Sequence, residues 1–324
     1  NGKEINAGDV VPEGVADKIK VIKSGGGNSQ TVLDAIDDIQ TTIATYGTIA
    51  TQDANAVAIT GGAIDGTTVG VTTPAAGNRV SNVEALNVSL ATTLEQDLSM
   101  FGNTTITDLT SNTTAAAITI TNAGSTFDTL ELAGAAATTV GLQRSAAADQ
   151  VATALTVQFT KGADEAVTTL NVNDEATLTL NTADSTATKI TTLNAAELTN
   201  LTVTGTSNVT VSNQIAGQTT TLATITNSLT GTAALSLNAS GQTNAVTFTA
   251  GTSTGQSTIT TGSGADSITA GAGVLSAEGG AGNDTITGGT GNDTIYVDSG
   301  TDKITDFTIG SDKLIISSAA TAYV

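Results

Sequence analysis

Four aspartates near the C-terminal end, Asp266, Asp284, Asp293 and Asp302, are the residues best placed to do chemistry. Asp266, Asp284 and Asp302 recur every 18 residues, and Asp293 lies nine residues from each of the last two. Carboxylates repeated at a fixed spacing suit one task above others, which is to bring oxygen to a hard cation. The segments that carry them read in nines as TGSGADSIT, AGAGVLSAE, GGAGNDTIT, GGTGNDTIY and VDSGTDKIT, covering 261–305. The third and fourth rows, Gly279 to Thr287 and Gly288 to Tyr296, fit G-G-x-G-x-D-x-U-x at every fixed place. The apolar U is Ile268, Ile286, Ile295 and Ile304, with Ala277 in the second row, where Leu275 stands in place of the aspartate.

Each row implies the elements that position its aspartate. Glycine tolerates positive φ and close backbone approach, so G-G-x-G is a tight turn able to aim carbonyls inward. The x-U-x that follows is a three-residue strand whose apolar residue points into a core. Two rows make one coil of a parallel β-roll, so Asp266 is expected to stack on Asp284, and Asp284 on Asp302. The other side pairs Leu275 with Asp293, which predicts a missing or weak site there. Converging carboxylates repel unless a cation sits among them, and oxygen ligands without imidazole or thiol favour Ca²⁺ over zinc or copper.

These rows resemble the RTX calcium-binding repeats of proteins exported by bacterial type I secretion, and the resemblance extends into the closing segment Asp302 to Ile316. It implies Asp266, Asp284, Asp293 and Asp302 as side-chain ligands to several Ca²⁺ ions. Carbonyls of the turns would complete the shells: Gly262, Gly264, Gly279, Ala281, Gly282, Gly288, Thr290, Gly291 and Gly300. Asp298 and Asp312 join as further carboxylates in the same loops.

Composition narrows the rest. The 324 residues carry 30 acidic and 10 basic side chains, a net charge of −20, which disfavours nucleic acid and anionic membranes as partners. Aromatic residues are 2% of the chain, too few for a large globular core and suited to thin stacked β-coils. Histidine and cysteine are absent, so neither a Ser-His-Asp nor a Cys-His nucleophile can be assembled, and the expectation is a non-enzymatic protein. Right-handed β-helices include uronate-cleaving enzymes, but arginine occurs only at Arg79 and Arg144. Asp164/Glu165 and Asp174/Glu175 read as solvated pairs or extra calcium ligands. No apolar run approaches the roughly 20 residues that span a bilayer. The start at Asn1, without Met or signal peptide, is expected of a fragment or processed product. The tail from Leu314 to Val324 is compatible with a C-terminal secretion signal.

Along the chain, residues 1–50 form an N-terminal segment with a glycine hinge (Gly25 to Gly27) and a helix predicted over 31–46, a possible assembly element. Its apolar residues Val32, Ile36, Ile39, Ile43 and Tyr46 follow a short coiled-coil spacing. Residues 51–79 read as Gly/Thr-rich connecting strands, and Ala56 to Gly70 looks like short repeats of trimeric phage tail fibres. From 80 to 251 short alternating strands follow one another, among them Ala117–Ile120, Thr129–Leu132, Leu155–Phe159, Leu178–Leu180, Leu201–Val203 and Leu235–Leu237. The expected fold is mainly β: an irregular parallel β-solenoid, with asparagine ladders at its turns, ending in a calcium β-roll over 252–308. A cap or secretion-signal-like tail over 309–324 closes the chain.

Val80 to Val88, with the Thr-rich strands and the terminal roll, is similar to Caulobacter-type S-layer proteins. That resemblance implies a secreted, self-assembling subunit of a bacterial surface layer, located outside the cell. It would associate with copies of itself and with lipopolysaccharide or another outer-surface anchor. A trimeric fibre assembled through the 31–46 helix, or the carrier part of an exported protein, are the alternatives.

Overall fold

The structure is a computed structural model of the chain. It describes residues 20–21, 30–31, 85–88, 94–101, 108–111, 117–133, 139–149, 153–160, 164–182, 187–215, 221–317 and 322–323. The chain divides into two compact units, 1–67 and 68–324. In the first, strands Lys20–Val21 and Gln30–Thr31 pair antiparallel. Thr31, the expected opening residue of the helix, is therefore in a strand. The rest of the predicted helix, the glycine hinge and the fibre-like repeats of 56–70 lie outside the described residues.

The second unit is a parallel two-sheet solenoid. Each coil contributes one strand to an 11-stranded sheet and one to a 12-stranded sheet, so strands adjacent in a sheet are alternate strands of the sequence. The strand Thr177–Thr182 shows why this sequence folds so. Its residues TLTLNT alternate, burying Leu178, Leu180 and Thr182 and turning the others outward. One face of each strand must then be covered by the opposite sheet.

Parallel registry converts that alternation into continuous apolar columns. In the 12-stranded sheet Leu155, Leu178, Leu201, Ile225, Phe248, Ile268, Ile286 and Ile304 stand in one line. In the other sheet Leu237, Ile259, Ala277, Ile295 and Leu314 do the same. The isoleucines of the nonapeptide rows thus extend columns that begin far upstream, and the roll continues the same stack. Full burial of each such side chain contributes about 1.5–3 kcal/mol before the entropy of ordering is charged.

One asparagine rung is seen among the described residues, at strand ends rather than in a run along the turns: Asn194 donates its side-chain amide to Asn171 Oδ1 at 2.5 Å, in register one coil apart. Two polar groups inside the core had no sequence expectation. Asn227 is buried between the sheets and donates to the Ser257 hydroxyl at 3.0 Å. Arg144, inward on the strand Thr139–Arg144, forms a bidentate pair with Glu175, its Nε 2.6 Å from Oε1 and its Nη2 2.9 Å from Oε2. Both side chains are fully buried. Arg144 Nη1 also donates to the Gly124 and Phe127 carbonyls, so the buried cation is saturated with acceptors. This corrects the expectation for Glu175, which is neither solvated nor available to a metal. Its neighbour Asp174 accepts the Arg144 backbone N–H. Among the described residues, no helix is long and apolar enough to cross a membrane.

Candidate metal centre

The turns at the two edges of the final coils place the aspartates. Strands of three or four residues, such as Ser267–Thr269, Thr285–Thr287 and Thr294–Val297, are joined to the next by loops of three to six residues, 279–284 and 288–293 being the longest. Because consecutive strands of one sheet are 18 residues apart here, loops of alternate rows lie on one another.

On the first edge, Asp266 donates its backbone N–H to Asp284 Oδ1 at 2.8 Å, and Asp284 donates its own to Asp302 Oδ1 at 3.1 Å. The ladder begins one coil earlier, where Val246 N–H reaches Asp266 Oδ1 at 2.7 Å. On the second edge, Leu275 N–H reaches Asp293 Oδ1 at 2.8 Å, and Asp293 N–H reaches Asp312 Oδ1 at 3.1 Å. The expected pairing of Asp266 with Asp284, Asp284 with Asp302, and Leu275 with Asp293 is thus the observed one. Leu275 keeps the backbone rung but turns its side chain into the core. Asp312 continues the second edge after a step of 19 residues rather than 18. Asp306, which the sequence did not single out, accepts the backbone N–H groups of Gly288 and Gly289, each at 2.7 Å.

One oxygen of each carboxylate is spent in this ladder. The other, Oδ2 of Asp266, Asp284 and Asp293, is buried and has no hydrogen-bond partner, and so is Oδ2 of Asp298. Asp266, Asp284 and Asp293 are 2%, 2% and 1% exposed. An unpaired buried carboxylate oxygen costs several kcal/mol unless a cation answers it.

The glycines supply the space. A Cβ on Gly279 would strike Asp284 Oδ2, and one on Gly288 would meet Asp293 Oδ2 at 2.5 Å, so these two free oxygens each face the first glycine of their own row. Gly280 and Gly282, at φ 79° and 129°, would drive a Cβ onto the carbonyl oxygens of Gly262 and Gly264. Gly300, also at φ 129°, would do so onto that of Gly282. Gly264 lies equally close to the Asn244 carbonyl, and Gly291 to the 273–274 backbone. Ala281 donates its N–H to the Gly262 carbonyl, and the exposed Thr290 hydroxyl reaches the Ala272 carbonyl only at 3.5 Å.

Electrostatics agree with an unanswered negative charge. Burial raises Asp266 and Asp293 above the ordinary carboxylate range, with Asp312 and Asp306 adding to the effect on Asp293. Asp284 is pushed up to about 7, first by burial and then by the neighbouring Asp266, Asp302 and Asp298 carboxylates. Glu278 is raised too, by burial and by Asp298 beside it. Among the described residues no three acidic side chains converge closely enough to hold a metal by themselves. A cation here would take backbone carbonyls for most of its shell, a donor set that suits Ca²⁺. The residues present fit that ion.

No curated protein and no solved structure matches the chain. A sequence family does: the RTX calcium-binding nonapeptide repeat, in four copies, covers residues 252–274 and 276–304. Those coils hold Asp266, Asp284, Asp293 and Asp302, while Asp312 of the second ladder follows the matched segment. The solenoid therefore ends in RTX calcium-binding nonapeptide repeats folded as a β-roll, and calcium is the ion these repeats bind.

Proposed function

We propose that this chain is a calcium-dependent structural subunit of a bacterial surface layer, exported by type I secretion and acting as scaffold rather than catalyst. The observation that carries the reading is the pair of buried aspartate ladders, each with free oxygens, set at the end of sheets that run unbroken through the Thr-rich stack. Asp266, Asp284, Asp293, Asp302 and Asp312 would bind through carboxylate oxygens, and the glycine-loop carbonyls of Gly262, Gly264, Gly282 and Gly300 would complete the shells. Bound calcium supplies the positive charge that lets converging carboxylates stay ionised. Ion-binding free energy then becomes folding free energy. Where calcium is scarce the last coils lack their stabilising partner, so the chain folds on the side of the membrane where calcium is plentiful. With its negative charge and lack of histidine, the chain is suited to a lattice held by divalent bridges between copies and to an anchor such as lipopolysaccharide.

Titration of the whole chain with EGTA, followed by far-UV circular dichroism and electron microscopy, tests this. Loss of β signal and of sheet-like assemblies, both restored by calcium, is expected. A β signal and assemblies indifferent to EGTA overturn the proposal, and rods in place of sheets would point to a fibre.

A further inference from the structure

The outward face of the 12-stranded sheet carries a two-dimensional array of hydroxyls. Strand registry places Thr129, Thr156, Thr179, Thr202, Thr226, Thr249, Thr269 and Thr287 in one column. Two residues earlier on the same strands stands a second column: Thr177, Asn200, Thr224, Thr247, Ser267 and Thr285. Most strands of this face therefore read Thr-x-Thr, with the central apolar residue buried.

Two features set this face apart from an ordinary solvated sheet. Coil length falls along the chain, from 23 residues between Asn171 and Asn194 to 18 between Thr287 and Thr305. The turns absorb that change while the threonine keeps its register at every coil, and no bulge interrupts the pairing. Charge is also kept off: no Asp, Glu, Lys or Arg stands in either column from Thr156 to Thr287, in a chain of net charge −20. The other sheet differs by carrying Glu278 inside its outward columns, whereas charges stand at the ends of the arrays on both sheets: Lys189 and Lys313 there, Asp108 and Lys303 in register here.

A partner for such a face must itself be flat, periodic and uncharged. Crystalline polysaccharide is normally met by aromatic platforms, and a second protein by aromatic, Met and Arg side chains. The columns contain none of these. What they offer is a hydroxyl beside a methyl, repeated at roughly 4.8 Å across strands and roughly 6.6 Å along them. These repeats are comparable to the oxygen spacings of an ice surface. Methyl groups in such an array would restrict first-shell water, and the hydroxyls beside them would hydrogen-bond that water to the sheet.

We propose that this threonine face orders water in a lattice that matches ice, making the chain an ice-binding solenoid. The activity is a function beyond surface-layer assembly and does not depend on which residues ligate calcium.

The test uses the whole chain in calcium, first for thermal hysteresis and ice shaping, then for enrichment of labelled protein in slowly grown ice. Thr202→Lys, at the middle of the array, is expected to reduce enrichment several-fold. Thr258→Lys, outward on the other sheet, is expected to leave it unchanged. Melting in calcium verifies that each variant is folded. Thr202→Ser, which removes only the methyl, gives a milder loss should Thr202→Lys fail to fold. A folded wild-type chain that neither shapes ice nor enters it overturns the proposal. So does equal loss in Thr202→Lys and Thr258→Lys, or adsorption to crystalline chitin or cellulose with none to ice.

Discussion

Asp284 accepts the backbone N–H of Asp266 through one carboxylate oxygen and keeps the other buried and unpaired. The first contact is part of the roll's backbone ladder. The second is a charged oxygen that a cation would answer, and the two roles can be separated by substitution. Asp284→Asn keeps an oxygen for the Asp266 N–H but removes the charge. Calcium affinity measured by calorimetry should fall on the order of 10-fold or more, the scale of one charge-assisted contact. Asp284→Ala should lower affinity further and also reduce the metal-free stability.

The pH dependence follows from the raised carboxylates, Asp284 above all. Its pKa is about 7 when folded against an ordinary value near 3.8. A raised acid binds its proton more tightly in the folded state, so unfolding releases protons between these values. The stabilising contribution is fully present below about pH 3.8 and is lost as pH climbs to about 7. In EGTA, urea midpoints for the roll should therefore be higher at pH 5 than at pH 7.5. In calcium the order reverses, because the proton competes with the ion and apparent affinity weakens below pH 7.

Glycine substitutions separate backbone strain from crowding. Gly231 has φ 65° and open space where a Cβ would go, so Gly231→Ala should cost about 1 kcal/mol from the left-handed backbone alone. Gly282 has φ 129° and a carbonyl oxygen in the way, so Gly282→Ala should cost clearly more and lower calcium affinity as well. Thermal melting of both variants with and without calcium provides the comparison. Equal costs would mean that the loop yields easily to a methyl group.

The Arg144–Glu175 pair lies far along the chain from the calcium loops and should respond differently. Glu175→Ala leaves a buried guanidinium without its carboxylate and should destabilise by about 3–5 kcal/mol. Replacing both partners, as Arg144→Met with Glu175→Leu, should recover most of that loss. Denaturant unfolding of the two variants in calcium would show it, and a double variant as unstable as the single one would mean that the pair itself drives stability.

How much of this was legible depended on whether a fixed period ran through the sequence. The roll was, because glycine, aspartate and isoleucine hold a nine-residue frame, and that frame alone fixes Asp266 over Asp284 over Asp302. The upstream strands could be read from alternation, as in Thr129–Leu132, which matches its observed limits. Their stacking was harder, because turn lengths vary and only the pairing reveals which threonines share a column. The buried polar groups were overlooked although parity marked them. Val140, Leu142 and Arg144 alternate on one strand, and Ile225, Asn227 and Leu229 on another, so both polar residues fall on the inward side. Charge argued for solvent and alternation for the interior, and alternation prevailed because Glu175 was there to meet the arginine. Asp306 went unnoticed because the segment after Thr305 leaves the nine-residue frame, and the 19-residue step to Asp312 appears only in three dimensions.

The columns that pass without interruption from Leu155 to Ile304 tie distant parts of the chain to one switch. Each coil rests only on its two neighbours, so a completed coil is a template already cut to the pitch of the next. Were calcium to set the final coils first, everything upstream would be spared the entropic toll of starting a stack from nothing. On the proposed function, a change of ion concentration at one end would be felt as growth or retreat of the whole column, much as a zip follows its slider.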